Sequence, residues 1–418
     1  MKLKNLSIIE FDAYAKNHPL GSYHQTSSYA LFASEAGYDY EILGLIDNEG
    51  TIHAATLLLY KKLGMFYRYG YAPKGFLIDY YNKPLLEEFI KALKKRYYNK
   101  NFAFIKINPE ISIGTLDYTN KVISYNSNKN IEKTLINLGC RKLEGNRRFE
   151  TKIPRFNAIQ LLKKTNFSSL NKNVRNKINK GIKNGMSLEK GTREDIEILY
   201  KFIKNKKKYP ISHYMNYYNA FSKKDAIDIL LVKINFEECL INIREQYEKE
   251  TIRNQIITEK TMKNPNNINL KRKIQSDNLL NTLNQNIAIA SKNLAENKIK
   301  YIAGAITIKY LNRVYILISG YDKDFKQLCP NYFLHYSIIK YYQESYDFLD
   351  LNGITGDFSK SNPYKGLDYF KEGFNPLAFE YIGEYDVIIN EGLYKNLDQT
   401  GQLAKEFKRI EKNINPND

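Results

Sequence analysis

Along the first 150 residues the apolar positions switch between the period of a helix and that of a strand. Ser27 to Ala36 follows the small polar run Gln25-Thr26-Ser27-Ser28 and reads as a helix. In EILGLIDNEGTIHAATLLLYKKLG two apolar runs flank Asp47-Asn48-Glu49-Gly50, a turn sequence, and predict a β-hairpin. RYGYAPKGFLIDYYN (residues 68–82) leads into a further strand expected over Gly75 to Asp79. Leu85, Leu86, Phe89, Ile90 and Leu93 recur at helical spacing within a helix predicted from Pro84 to Tyr97, and FAFIKINP then reads as a buried strand. Helix, hairpin, strand, helix, strand is the pattern of a layered α/β unit.

The second half repeats this organisation with one interruption. In NKNVRNKINKGIKNG, Val174, Ile178 and Ile182 recur every four residues and predict one apolar helix stripe. Lys172, Arg175, Lys177, Lys180 and Lys183 cover the remaining surface, and Asn184-Gly185 ends the helix. From Phe236 to about Lys298 the chain is charged, rich in Gln and Asn, free of glycine and broken once, at Lys263 to Asn267. Leu280, Leu283, Ile287, Ala290 and Leu294 step by three and four there, the narrow seam of a coiled coil. Two long helices joined by an Asn-Pro turn are therefore expected to form an antiparallel arm. Strands resume in YIAGAITIKY and VYILISGY around Asn312-Arg313, so the arm interrupts a domain. A helix over Asn331 to Tyr342, a strand in DFLDLNGITGDF and the closing YFKEGFNPLAFEYIGEYD complete the α/β pattern. The expected division is 1–150 as a first domain, 151–235 with 299–390 as a second, 236–298 as the arm and 391–418 as a C-terminal helix or tail.

Composition narrows the partners more than the fold. At 43% hydrophobic and 26% charged, 418 residues can bury a sizeable core in two or three domains. A net charge of +19 favours encounters with polyanions such as nucleic acid, anionic headgroups or phosphorylated substrates, although a chain this rich in Lys, Asn and Tyr is also biased in composition. Cys140, Cys239 and Cys329 are distant and odd in number, as expected of reduced thiols. The N-terminal MKLKNLSIIEFDAYAKNHP lacks a continuous apolar core, and no run of about 18 apolar residues occurs, so a cytoplasmic protein is expected.

Motifs exclude more chemistry than they assign. The five histidines show no metal-ligand spacing, and no G-x-S-x-G or Walker sequence occurs. Asp347, Asp350 and Asp357 read as solvated turn positions. The only glycines near a candidate coenzyme A loop, Gly353 and Gly356, lack the preceding cation and the helix, so no cofactor is expected. What remains are Tyr-rich turns: residues 68–82, YPISHYMNYY at 209–218, the segment around Tyr321, and YFKEGFN at 369–375. Such turns suit sugars, peptides and phosphates.

YHQTSSYALFASEAGY, LGLIDNEGTIHAATLLLYKK, YGYAPKGFLIDYYN, VRNKINKGIKNG and YFKEGFN follow one another in an order that resembles the FemA/FemB/FemX peptidoglycan-bridge aminoacyltransferases, to which the MurM/MurN proteins also belong. The resemblance covers essentially the whole chain. It implies two GNAT-like domains with an inserted coiled-coil arm, and an enzyme that needs no coenzyme A because its donor is an aminoacyl-tRNA. The implied acceptor is the stem-peptide amine of lipid II or of UDP-MurNAc-pentapeptide, with peripheral contact at the inner membrane surface and homologous Fem partners or a homodimer. Glycine is the commonest donor among arm-bearing members; alanine or serine, another acceptor, or a non-catalytic tRNA-binding scaffold are the alternatives.

The family's catalytic Phe-Lys pair falls on Phe370-Lys371, where a cation would stabilise the oxyanion of ester aminolysis. An acceptor-binding Tyr corresponds to Tyr321, and a second to Tyr217, with His213 standing where the family has Arg. The family's first-helix lysine is missing, Ala33 and Ser34 occupying that region, so Tyr71, Lys74 and Arg68 are the expected substitutes. Lys172, Arg175, Lys177, Lys180 and Lys183, together with the arm, offer a track for tRNA phosphates, a reading their charge supports independently.

Overall fold

Two β-sheets and a pair of long helices make up the protein, whose computed structural model describes residues 1–64, 66–143, 153–206 and 209–404. Strands β1 (Lys2–Asn5), β2 (Asp39–Ile46), β3 (Ile52–Leu63), β4 (Tyr67–Ala72) and β5 (Phe102–Ile107) build most of the first sheet. Past β5, which ends ahead of Pro109, the chain crosses to a second sheet. There β6 (Ser112–Asp117) and β7 (Val122–Tyr125) form one edge, before β8 (Cys140–Lys142) returns to the first sheet. The second sheet then takes β9 (Phe156–Leu161), β10 (Met186–Gly191), β11 (Ile227–Asn235), β12 (Ile299–Tyr310), β13 (Arg313–Tyr321), β14 (Phe348–Ile354) and β15 (Leu377–Tyr381). Finally β16 (Tyr385–Ile388) inserts between β5 and β8. Among the described residues the orders are β1-β2-β3-β4-β5-β16-β8 and β10-β11-β12-β13-β14-β9-β15-β6-β7.

The two sheets thus exchange strands across the boundary expected near residue 150. β15 pairs with both β6 and β9, drawing residues 112–125 into the second sheet, and β16 carries residues 385–388 back into the first. Hydrophobic periodicity reports which residues are strands but not which neighbour each will choose.

Helices α1 (Ile8–Asn17), α2 (Ser27–Glu35), α3 (Lys83–Tyr97) and α4 (Asn130–Asn137) accompany the first half. Then follow α5 (Lys172–Lys183), α6 (Ile196–Ile203), α7 (Ile211–Ser222), α8 (Phe236–Lys263), α9 (Asn267–Glu296), α10 (Pro330–Tyr342), α11 (Lys365–Glu372) and α12 (Glu391–Gln399). Local sequence explains the starts. Asn82 caps α3 through Leu85 N–H with Pro84 in the first turn, and Asn171 caps α5 through Asn173 N–H. In the β2–β3 turn the Asp47 carboxylate accepts from Glu49 and Thr51 N–H at 2.9 Å each, while Gly50 takes the positive φ. Residues 405–418, the end of the expected tail, lie outside the described residues.

Two local expectations change. The strand lies over Tyr67–Ala72 and not over Gly75 to Asp79, where a single bridge joins Leu77 to Ala55. Pro73 and the positive φ of Lys74 end the strand, and buried Gln25 fills the gap, donating to Pro73 O at 2.8 Å and accepting from Leu57 N–H at 2.8 Å. On α5, Ile182 is exposed, and the buried stripe is Val174, Ile178 and Gly181, the last of these against Phe333. A helix turns 100° per residue, so position 181 returns to the buried line more closely than 182.

The halves share a core. α2 of the first half lies on α7 of the second, Phe32 stacked on Tyr217 with centroids 3.6 Å apart, and Tyr23 meets Phe221 and Tyr315 at 5.9 and 4.8 Å. The arm is α8 and α9, joined at Asn264–Asn266. Leu283 and Ala290 are buried in its seam, but Ser276 donates to buried Glu250 at 2.6 Å and Asn254 donates to Ser276 and Asp277. The seam becomes polar as it runs outward.

Candidate active site

β14 carries residues of two clusters. At its end, Gly353 O accepts a 2.6 Å hydrogen bond from Lys371 Nζ on α11, and only 7% of Lys371 is exposed. The loop between β14 and α11 is fixed by Asp368, whose carboxylate accepts from Thr355 N–H at 2.8 Å, from the Thr355 hydroxyl and from Asn362 Nδ2 at 3.0 Å. Burial raises the Asp368 pKa against these donors and against nearby Lys371. Phe370 stands edge-to-face against Tyr332, His335 and Phe374, with centroids 4.9, 4.8 and 5.4 Å away.

His335 Nδ1 lies 2.9 Å from Asn331 O; a carbonyl only accepts, so Nδ1 carries the proton. Burial holds this imidazole's pKa down to about 4, with Lys371 also opposing its protonation, so the ring is neutral at physiological pH. Helix α5 closes the cluster from the side. Lys177 Nζ donates to Tyr332 Oη at 2.8 Å and sits 4.2 Å from that ring's centroid, and Asn171 N–H donates to Gly373 O at 3.1 Å. Gly373 is needed there, because a Cβ would come within 2.4 Å of Val174 Cγ2.

Three residues back along β14 lies the second cluster, between the two sheets. Glu110 pairs with Arg313 on β13 and, at 3.6 Å, with Lys74 of the first half, itself only 4% exposed. Burial opposes ionisation of Glu110, yet Lys74 and Arg313 bring its pKa down to about 2. Asp350 is buried beside them, accepting from Asn157 Nδ2 and Asn352 N–H, and burial pushes its pKa up despite Arg313. It is therefore not a solvated turn residue. Tyr71 Oη accepts from Asn108 Nδ2 at 3.2 Å, and Lys74 N–H donates to Asn108 Oδ1. Lys74, Asn108, Arg155, Tyr381 and Glu384 line a cavity of about 10 Å³, room for a single water.

The residues singled out in the sequence are thus distributed. Phe370, Lys371 and Lys177 come together, as do Tyr71 and Lys74. Arg68 lies at the opposite end of β4 from Tyr71, in an open cleft with Lys62, Phe66 and Lys100. Tyr217 and His213 belong to the α2–α7 aromatic seam, His213 stacked on Tyr209 with centroids 4.1 Å apart. Tyr321 ends β13, half-buried. Of the α5 cations, Lys172 and Lys183 are exposed and Arg175, Lys177 and Lys180 half-buried, burial lowering the Lys180 pKa. Sequence reading passed over Asp368, Thr355, Asn362, His335, Glu110 and Arg313. None belongs to a spaced motif; only N-P-Y-K-G-L-D-Y-F-K, with Asn362 and Asp368 six apart around a turn into a helix, carried a local signal.

Residues 6–400 match the FemAB family. A lipid II:glycine glycyltransferase of Staphylococcus epidermidis is 26% identical, with 94% of each chain covered. An aminoacyltransferase FemA of Staphylococcus aureus is 25% identical, covering 94% of this chain and 97% of the relative. A crystal structure of FemX superposes with a TM-score of 0.70 at 22% identity, over 96% of this chain and all of that one.

Proposed function

The chain belongs to the FemAB family and is an acyltransferase, and we propose that it moves an aminoacyl group from aminoacyl-tRNA to an amine of a peptidoglycan precursor, lipid II in particular, with glycine as the donor residue. The observation that carries this reading is the Phe370–Lys371 pair, with the ammonium pinned by Gly353 O, Asp368 nearby, and Phe370 packed among the rings of Tyr332, His335 and Phe374. In the proposed reaction the acceptor amine attacks the ester carbonyl and a C–N bond forms. The carbonyl oxygen becomes an oxyanion, and the tetrahedral intermediate collapses by breaking the C–O bond to the terminal ribose. The proton lost by the amine ends on the ribose oxygen.

Lys371 would face the oxyanion, where a fixed cation in a dry site acts without reorganisation. An aminoacyl ester is already activated, so positioning and charge stabilisation suffice without an enzyme nucleophile. His335, neutral, would add no charge of its own beside Phe370, leaving the positive charge there to the lysines, Lys371 on α11 and Lys177 on α5. The exposed cations of α5, Lys172 and Lys183, would meet acceptor-stem phosphates.

The test is direct. Purified protein, lipid II and a total charged-tRNA pool are combined, and added mass on the precursor identifies the donor residue. Lys371→Ala is expected to lower kcat by about 100-fold or more, as for loss of an oxyanion donor. No adduct with any charged tRNA, or full activity of Lys371→Ala, would overturn the reading.

A further inference from the structure

The outer end of the arm carries surface that neither its own seam nor the body covers. No residue from 251 to 275 is buried, whereas nearer the body Ile243, Leu283 and Ala290 are. At 1.5 Å per residue, α8 runs about 20 Å beyond Glu250, its last buried residue. On this stretch Ile252, Ile256, Met262, Ile268, Leu270 and Ile274 are exposed, Met262 by 78% and Ile268 by 64%. Single exposed apolar residues are ordinary, but six along one projecting element are not. Between them lie Arg253, Lys260, Lys263, Lys271, Arg272 and Lys273, with Glu259 the one acid of the stretch; Arg253 pairs back to Glu250 and Lys273 to Asp277, and Lys260, Lys263, Lys271 and Arg272 keep the surface positive.

The combination selects among partners. A nucleic-acid backbone would meet the cations but offer the isoleucines nothing. A second copy of the arm would bring these cations against their own kind. An anionic bilayer surface accepts both, apolar side chains entering the headgroup boundary while cations stay beside the phosphates.

We propose that the outer end of the arm, residues 251–275, docks on an anionic phospholipid bilayer. This would hold the protein where a lipid-linked acceptor resides, and in that respect it builds on the function proposed above. The docking itself needs no acceptor, so its failure and the failure of that reading are separable.

The experiment is co-sedimentation of the full chain with vesicles of phosphatidylcholine alone, or of phosphatidylcholine and phosphatidylglycerol in equal parts. Binding to the mixed vesicles is expected, falling as salt rises, with little to phosphatidylcholine alone. Ile256→Ser/Ile274→Ser and Met262→Ser/Ile268→Ser are each expected to weaken it about tenfold. The far-UV spectrum should stay unchanged, because none of the four sits in the seam. Lys263→Gln/Lys271→Gln, which leaves the apolar set intact, is expected to weaken it as well. Unchanged binding by these variants, or equal binding to both kinds of vesicle, would overturn the proposal. So would a dimer in solution that the serine variants dissociate, or loss of vesicle binding caused by added RNA.

Discussion

Glu110 is one place where the two halves of the molecule are joined by charge, and Glu110→Gln is an informative substitution outside the Lys371 cluster. The carboxylate lies between Lys74 of the first half and Arg313 of the second. Its pKa of about 2, against an ordinary 4.5, is a difference of about 2.5 units, or roughly 3 kcal/mol at 1.36 kcal/mol per unit. The same magnitude, about 3–5 kcal/mol, follows from leaving buried cations without their counter-charge. Because the folded pKa is depressed, the contribution is complete above about pH 5 and disappears as pH falls from about 4.5 towards 2. Urea unfolding at pH 7, followed by both fluorescence and circular dichroism, should show Glu110→Gln less stable by about 3 kcal/mol. The gap to the parent should close on acidification. Arg313→Met added to Glu110→Gln should recover part of the loss, because one orphaned cation is gone. A Glu110→Gln protein within about 0.5 kcal/mol of the parent at pH 7 would mean that this carboxylate does not hold Lys74 and Arg313 together.

Other substitutions test the neighbouring contacts. Gly373→Ala should cost about 1–3 kcal/mol by overpacking against Val174, and Val174→Ala in the same chain should restore stability and turnover together; no rescue would place the fault elsewhere. Asp368→Ala removes the acceptor shared by Thr355 and Asn362 and should lower kcat more than it changes KM for the tRNA, as steady-state kinetics would show. Lys172→Gln/Lys183→Gln should reduce the slope of log affinity against log salt for tRNA by about 1–2, measured by filter binding, without shifting the melting midpoint. Lys177→Gln should shift that midpoint as well, since its ammonium is bonded to Tyr332.

Much of the secondary structure was legible because it is written in local terms. Asp47 to Gly50 is a turn by its own chemistry, Asn82-Lys83-Pro84 is a helix start, and the glycine-free stretch broken at Asn264-Pro265 reads as two helices. The expectation that failed locally, a strand over Gly75 to Asp79, failed because Gln25, nearly fifty residues earlier, satisfies the backbone that a neighbouring strand would otherwise pair. Strand exchange between the sheets escaped for the same reason on a larger scale. The candidate site divided likewise. Phe370 and Lys371 stood out by resemblance, whereas His335 and Asp350 looked unremarkable because their burial depends on helices and strands that arrive from elsewhere.

The place of β16 bears on synthesis as well as on architecture. Lys106 on β5 has no exposed surface, and its charge is answered by Asp386 at 2.8 Å and Glu384 at 3.5 Å, some 280 residues later. A nascent chain that has left the ribosome only as far as the arm has β8 without the strand that ties it to β5, and a lysine that lacks its counter-ions. The first sheet therefore closes after the second has been made, and the amino-terminal half waits for the last strand of the chain before it can become a finished solid.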